Sequence, residues 1–561
     1  MTNIFDNTDH AIAREFYSLS FQDRNDINEE VHGVQSMAQE ETPELIEDSL
    51  RMLSIELRNL PLYNKEIYEK ALNMHMNGKG NSDGGDFFSS SSIIDDEYDN
   101  DECYVESGNF QLMFLRCELF NPKKAAIRLV TYLELAYETY GEVALRRPLR
   151  IDDLQSTEEI DVLKSGHHQL LPFRDRSGRR VLALHRDLSL PSASVLSQSV
   201  LSSGPGTKLM LYIWTVLAED IESQRKGLVV VFWPRYTNTN NTSGATSTTS
   251  NSSVSDNQAY GNKGNDTSKR IKRRIKSNNY NNKDINAPVP NADARSMGKR
   301  FFEAIPVRVC SLHVCFPDTP YFHMIRHVLI LIIGESLRTR VKLHSGDGTE
   351  VHYKLSGYGI PVETLPMDEI TGNIKTKNQA QFIAVRKRIE GVEENNGGHV
   401  SSSSSSSNNN NTPSMIECPL LNDVIFRSGK SYLSHPGNAN FRGLIEQYIS
   451  AHNEASQEKK IKITWQVIEE VESKSGRFLE HDKGLGTWTE LTNRGAVRHK
   501  IATYFKEYRR KLKAQHKIQI CQSSTHQFVQ QDGKKRKRAR VQVGGTLSKV
   551  MPNGCFSSCE M

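Results

Sequence analysis

Gly429, Lys430 and Ser431, in "RSGKSYLSHPGNANFRGLIEQY", have the order that ends a phosphate-binding loop. Such a loop needs a further glycine five positions before the Gly of Gly-Lys-Ser, so that successive backbone N–H groups curl around phosphate oxygens at a helix start. That position is Val424, inside the strand-like run "DVIF". After Ser431 the chain runs through "YLSHPGN", whose Pro436 and Gly437 read as a turn. The tripeptide is therefore read as loop chemistry. His323 and His327 have the four-residue spacing of two metal ligands on a helix, but Met324 stands where the glutamate of a zinc protease motif would be. "GESLR" lacks the second glycine of a nucleophile elbow. "CSLHVC" puts His313 and Cys315 on one strand face and Cys310 on the other, which suits buried thiols. No enzyme, catalytic residue, cofactor or metal is expected.

Basic residues carry the remaining chemistry. In "HKIATYFKEYRRKLKAQHK" the cations Arg498, Lys500, Lys506, Arg509, Arg510 and Lys511 lie near or beside the aromatics Tyr504, Phe505 and Tyr508. Cations beside aromatics, next to a hairpin, fit phosphate contacts of a nucleic-acid reader, although a solvated charged face has the same composition. Lys534, Lys535, Arg536, Lys537 and Arg538 in "GKKRKRARV" have the form of a nuclear import signal, and "KRIKRRIK" at 269–276 is a second basic cluster. "CFSSCEM" is not a prenylation signal, because the fourth residue from its end is Ser558.

The elements that would position these residues sit in a chain of 561 residues, too long for one core, so two or three domains are expected. A net charge of +4 says little at this length; what matters is where the cations cluster. A hydrophobic content of 37% points to disordered stretches beside folded parts. Eight cysteines without paired spacing, and no secretory signal in "MTNIFDNTDH", suggest a reducing, intracellular setting. The longest apolar run, "VLILIIG", is too short to span a bilayer. Low-complexity stretches at 77–102, 237–286 and 393–414 cannot bury enough apolar surface to offset chain entropy and are read as flexible.

Between them, Thr42 and Pro43 read as the cap and first residue of a helix with Ile46, Leu50, Leu53, Leu57 and Leu60 on one stripe. Asn121, Pro122 and Gly141 bound another, carrying Ile127, Val130, Leu133 and Tyr137. Strand-like "RRVLALH", "GLVVVFW", "VRVCSLHVCF" and "RVKLH" then alternate with helical runs, which predicts an α/β domain whose strands are buried on both faces.

In this order of elements, "FLRCELFNPKKAAIRLVTYL" resembles the "FLRARKFD..KA..ML..YL" helical lead-in of the CRAL-TRIO lipid-binding family. "FRDRSGRRVLALHRDL" resembles its "D.DGRPV" first strand, and "GLVVVFW" its central strand. "IPVRVCSLHVCFPDTPYFHMIRHVLILII" is similar to "YPER...IYIINAP..F...W..IKPFL", and "RTRVKLH" and "GIPVETLP" to the closing strand and ending. The resemblance covers roughly residues 40–375. It implies a sheet floor under apolar helices that enclose one hydrophobic, lipid-like ligand, with Tyr321, Phe322, Ile325, Leu329 and Ile332 on the covering helix. In phosphatidylinositol-transfer members a Glu follows the Pro of "YPER" and a Lys follows the covering helix. Those positions are Val307 and Arg340 here, so the cation is kept and the carboxylate is lost.

The block from 415 to 515 resembles an uncharacterised domain family of diatom proteins with the pattern "DVLFGRG......HPGN..FR.L...Y", "GGRFL......W..V" and "A..K....FR". Asp423, Phe426, Arg427, His435, Pro436, Gly437, Asn438, Phe441, Arg442, Gly476, Arg477, Phe478, Leu479, Trp488 and Lys500 fit it. His435, Asn438, Arg442 and Arg477 are expected to lock backbone turns. The order helix, helix, hairpin, helix outlines a winged-helix-like domain.

The expected organisation is a helical segment (1–76), an acidic linker (77–102), a CRAL-TRIO-like α/β region (103–376, with an insert at 237–291), a linker (377–414), a small α+β domain with a β-hairpin (415–515) and a basic tail (516–561). The expected function is non-catalytic binding of a lipid-like ligand coupled to a nuclear or regulatory role. The alternative is a nucleic-acid-binding regulator whose α/β region is an interaction scaffold. Expected partners are a hydrophobic small molecule, nucleic acid and an import receptor, with the nucleus as location and the cytoplasm as the alternative.

Overall fold

The computed structural model describes residues 13–79, 103–187, 204–235, 292–319, 322, 330, 333, 335–368, 373–391, 415–426, 434–482, 484 and 486–515. It is a mixed α/β protein with a helical N-terminal part. The chain divides into two compact units, residues 1–421 with 480–490, and residues 422–479 with 491–561.

In the first unit, local capping sets the helix ends. Thr42 Oγ1 accepts the Leu45 N–H at 3.2 Å and opens the helix Pro43–Asn59. Leu53 and Leu57 are buried, with Ile46, Leu50 and Leu60 packed at the edge of the same core. Asn121 Oδ1 accepts the Lys124 N–H at 3.0 Å, and the helix Pro122–Tyr140 runs from there to Gly141, at φ 69°. The expected stripe on this helix is corrected at one position, because Ile127 is 51% exposed. Its buried face instead includes Ala125, Ala126, Leu129, Leu133 and Ala136, whose small alanines let neighbouring helices approach. Counting only large apolar residues rotates the face away from the alanines that define it.

The central sheet has the order β1 (His168–Leu170), β2 (Arg180–Asp187), β3 (Leu228–Arg235), β4 (Val309–Phe316) and β5 (Val341–Ser345). β1 is antiparallel to β2, and the other pairs are parallel. Every residue of β4 is buried, as a parallel strand covered on both faces requires. Leu182, Leu228, Val230, Leu312 and Val314 face a core shared with the helices Gly108–Cys117, Pro122–Tyr140, Gly204–Glu219 and Ala292–Ala304. Val181, Ala183, Val229, Val231 and Cys315 face a smaller core closed by Val351 and Leu355 of the helix Gly348–Gly357. The β3–β4 register shifts at Leu228 and Val229. Gly227, at φ +76°, feeds this bulge: a Cβ there would lie 2.3 Å from Cys310 Sγ and 2.6 Å from the Arg308 carbonyl oxygen. Also in this unit, β6 (Met415–Ile416) pairs antiparallel with β9 (Trp488–Glu490). The turn before β9 closes through the Asp482 N–H on the Thr487 carbonyl.

The second unit contains β7 (Val424–Phe426), the helices Pro436–Glu454 and Gln457–Ser473, the start of β8 (Phe478–His481) and a helix over 494–515. Its core holds Phe441, Ile445, Ile449, Val467, Ile468, Val471, Val497, Ile501 and Phe505. Leu444, Tyr448, Ile463 and Tyr504 pack at its edge, as the apolar spacing predicts. The turn expected at Pro436–Gly437 is corrected: these residues start the helix Pro436–Glu454. Proline suits a first helical position because its missing N–H would have no partner there anyway. Gly437 is required by packing, since a Cβ on it would lie 2.1 Å from the Asp423 carbonyl oxygen. Gly429, Lys430 and Ser431 lie outside the described residues. No helix among the described residues is long and apolar enough to cross a membrane.

Candidate functional site

Of the residues expected on the ligand-covering helix, Phe322 is 3% exposed and packs into the main core with Ile333 and Leu337. Tyr321, Ile325, Leu329 and Ile332 lie outside the described residues, as do His323, His327 and the 534–538 cluster. Among the described residues no group of three His, Cys, Asp or Glu side chains is placed to hold a metal ion.

Arg340 precedes β5 and reaches a carboxylate that its own neighbourhood lacks. Its Nη1 donates to Glu30 Oε2 and, at 3.2 Å, to the Cys310 carbonyl. Arg308 Nη1 donates to both Glu30 oxygens, at 2.7 and 2.6 Å. The Glu30 backbone carbonyl accepts from Arg179, which is itself paired with the buried Asp175 at 2.6 Å. Burial opposes the Glu30 charge, yet Arg308 and Arg340 outweigh it and hold the carboxyl below the usual carboxylate range. The carboxylate absent at Val307 is thus supplied by the helix Phe21–Val31. Sequence reasoning missed Glu30 because an ion pair between residues 310 positions apart has no local signature.

A second polar group lies in the same unit. His313 contacts His344 at 2.9 Å and Ser311 Oγ at 3.2 Å. The Tyr358 ring meets both imidazoles edge-on, and His32 stacks on Tyr358 with centroids 4.8 Å apart. Ser311, His313 and His344 have the contact order of nucleophile, base and orienter. Burial, however, pushes His313 well below its ordinary value and His344 down to about 4. A general base works best with a pKa near the working pH. These contacts join β4 to β5 as a neutral hydrogen-bonded pair. The thiols of Cys117 and Cys310 are buried, and burial raises both pKa values, Cys117 to about 11. Both thiols are held protonated.

In the second unit Asn438 locks backbone, and Arg477 pairs instead with a side chain. Asn438 Oδ1 accepts the Ile425 N–H at 2.7 Å, and its Nδ2 donates to the Ile425 carbonyl at 3.0 Å. Arg477 holds the buried Asp423 through Nε at 3.1 Å and Nη2 at 2.8 Å. His435 is buried at the start of the helix Pro436–Glu454, where burial depresses it to about 4. On the helix over 494–515, Val497, Ile501 and Phe505 point into the core. Lys506, Arg510 and Lys511 are exposed, and Arg498, Lys500 and Arg509 partly so. Lys500 Nζ lies 5.4 Å from the centre of the Phe426 ring. The six cations expected to meet nucleic acid therefore share one helix, three of them exposed and three partly so.

Comparison with curated proteins finds no match to the chain. The CRAL-TRIO resemblance of the first unit draws no support from the family comparison. Residues 423–507, from Asp423 just before β7 into the basic helix, match the family described as Domain of unknown function (DUF6824).

Proposed function

We propose that the protein is a non-catalytic binder whose α/β unit, of CRAL-TRIO type, takes a hydrophobic, lipid-like ligand and whose second unit serves a nuclear, regulatory role. The observation that carries the reading is the parallel sheet with an apolar face at β5. There Val341 and Leu343 are only partly buried, beside Phe322, Ile333 and Leu337. A chain of methylenes laid on such a face gains about 0.8 kcal/mol per group removed from water. Lipids extracted from the purified full-length protein and identified by mass spectrometry test it. A ligand of that class should also raise the melting midpoint, by about 2.7 kcal/mol of stability at a hundredfold excess over its Kd. If no lipid co-purifies and none shifts the midpoint, the face is closed core and the reading fails.

A second reading, a nucleic-acid-binding regulator with the first unit as scaffold, is favoured by the outward cations of the 494–515 helix. Nuclear entry belongs to both readings and rests on Lys534, Lys535, Arg536, Lys537 and Arg538. A fluorescent fusion with these five changed to Ala should lose nuclear accumulation. An unchanged distribution, with 269–276 also removed, would exclude the assignment.

A further inference from the structure

Residues 35–42 join the helix Phe21–Val31 to the helix Pro43–Asn59 without regular structure, and Glu41 projects from them into a pair of guanidinium groups. Arg116 donates from Nε to Glu41 Oε1 and from Nη2 to Oε2, both at 2.8 Å. Arg225 repeats the pattern at 2.9 and 2.8 Å. Two parallel forks converge on one carboxylate whose side chain is 4% exposed. Burial opposes its charge, but the hydrogen bonds from the two arginines hold its pKa down to about 2.

The forks are built on other elements than the segment they hold. Arg116 sits on the helix Gly108–Cys117 and Arg225 on Ile221–Lys226. Arg116 Nη1 donates to Gln224 Oε1, and Gln224 is fixed in turn on the Ala218 carbonyl. The body therefore sets Arg116 in place independently of Glu41. Met37 is anchored by its N–H on Glu30 Oε1 at 3.0 Å and by Arg340 Nη2 on its sulfur at 3.3 Å, whereas beyond it Gln39 Nε2 donates to the Leu119 carbonyl at 3.0 Å. Leu119 and Phe120 both take left-handed backbone, at φ 51° and 59°, which bulky side chains adopt only where surrounding structure demands it. With Ala38, Gln39 and the three charged side chains they line a depression that has no room for another molecule while Glu41 is in place. Charge is also unbalanced. Arg116, Arg225 and Lys226 face Glu41 and Glu222, with Glu222 3.9 Å from Arg225 and 3.0 Å from Lys226. A dianion in place of the Glu41 carboxylate would neutralise the group. Paired, bidentate guanidiniums match the spacing of phosphate oxygens as well as they match a carboxylate.

We propose that Arg116 and Arg225 form a phosphate-binding fork and that Glu41 is its tethered occupant, displaced with residues 38–42 when a phosphate-bearing ligand binds. The proposal is independent of the lipid and nucleic-acid readings. A tethered competitor lowers apparent affinity by the fraction of molecules in which the fork is free.

The test uses the full chain and titration calorimetry with inorganic phosphate. Glu41→Gln keeps the shape and removes the competing charge, so it should bind phosphate at least about tenfold more tightly than wild type. Adding Arg116→Gln and Arg225→Gln should abolish that gain. Phosphatidylcholine vesicles with and without phosphatidic acid separate the sources: a gain for phosphatidic acid alone identifies a lipid headgroup, and a gain for inorganic phosphate identifies the free anion. No gain for either, or a gain that survives loss of both arginines, overturns the proposal. Should Glu41→Gln fail to fold, Glu41→Asp keeps the charge but withdraws it by one methylene. A gain in the same direction is then expected, and wild-type affinity in folded Glu41→Asp overturns the proposal equally.

Discussion

Asn438 is placed so that one side chain satisfies both backbone groups of Ile425, where a sheet partner would otherwise do so. Removing it leaves a buried N–H and a buried carbonyl unpaired, at about 1–3 kcal/mol each before relaxation. Asn438→Ala is therefore expected to lower the stability of the second unit by about 2–4 kcal/mol in urea unfolding, and Asn438→Asp should lose no less, because it sets a buried carboxylate oxygen against the Ile425 carbonyl. Glu30 has a different economy, because two guanidiniums share it. Glu30→Ala leaves Arg308 and Arg340 facing each other without a counter-charge, and a loss of about 3–5 kcal/mol is expected. Glu30→Gln should lose less than the alanine, since it retains an oxygen acceptor. Equal losses for Gln and Ala would mean that charge, not packing, sets the role of Glu30, and a Gln variant as stable as wild type would mean the reverse. Of these two residues only Asn438 was legible in the sequence. A polar residue in a His-Pro-Gly-Asn turn announces a backbone lock, whereas Glu30 is one acidic residue among several on an exposed-looking helix.

Elements were legible where their signals are local. Thr42–Pro43 and Asn121–Pro122 mark helix starts by side-chain chemistry confined to one turn, and the buried strands β2, β3 and β4 read directly as apolar runs. The helix Pro436–Glu454 was misread at its start because proline and glycine serve turns and helix N-termini alike, and only the approach of Asp423 to Gly437 decides between them. The face of the helix Pro122–Tyr140 was misread because alanine weighs little in an apolar count but much in close packing. On the helix over 494–515, spacing alone settled the matter: Val497, Ile501 and Phe505 lie inward and the cations are left largely outward. If those cations meet phosphates, affinity of the full chain for duplex DNA should fall with salt at a log–log slope of roughly −0.9 per phosphate neutralised. Arg509→Glu with Arg510→Glu should flatten that slope by about two units or abolish binding, with little change in unfolding, since Arg510 is exposed. Unaltered slope and affinity in the double variant would leave the helix face as solvated surface.

Across the whole molecule, imidazoles buried in neutral form tie stability to pH in both units. In the first, His344 is held at about 4 by burial and by the nearby charges of Lys354 and Lys342, and burial, with His344 and Arg179, holds His313 well below its ordinary value. In the second, burial brings His435 to about 4 against the opposing pull of Asp423, and His452, stacked on Phe505 at 4.2 Å, is depressed by burial and by Arg509. Unfolding frees each imidazole to take up a proton near its ordinary value of about 6.5, so below that pH the unfolded chain binds more protons than the folded one. Stability is then fully present above about pH 6.5 and declines as pH falls toward 4, by about 1–3 kcal/mol for each of His344 and His435. The carboxylate at Glu41 adds its loss later, between its ordinary value and about 2, so the histidine window is the first to open. Urea unfolding of the full chain at steps from pH 7.5 to 4.5 should show the midpoint falling from the first step below 6.5. His435→Asn should flatten the decline for the second unit and leave that of the first unchanged, because Ser311, Tyr358, Lys342 and Lys354, which face His313 and His344, belong to the first unit. A midpoint that stays level to pH 4.5 would mean these imidazoles protonate within the fold, and the neutral His313–His344 pair that joins β4 to β5 would have to be redrawn as a charged one.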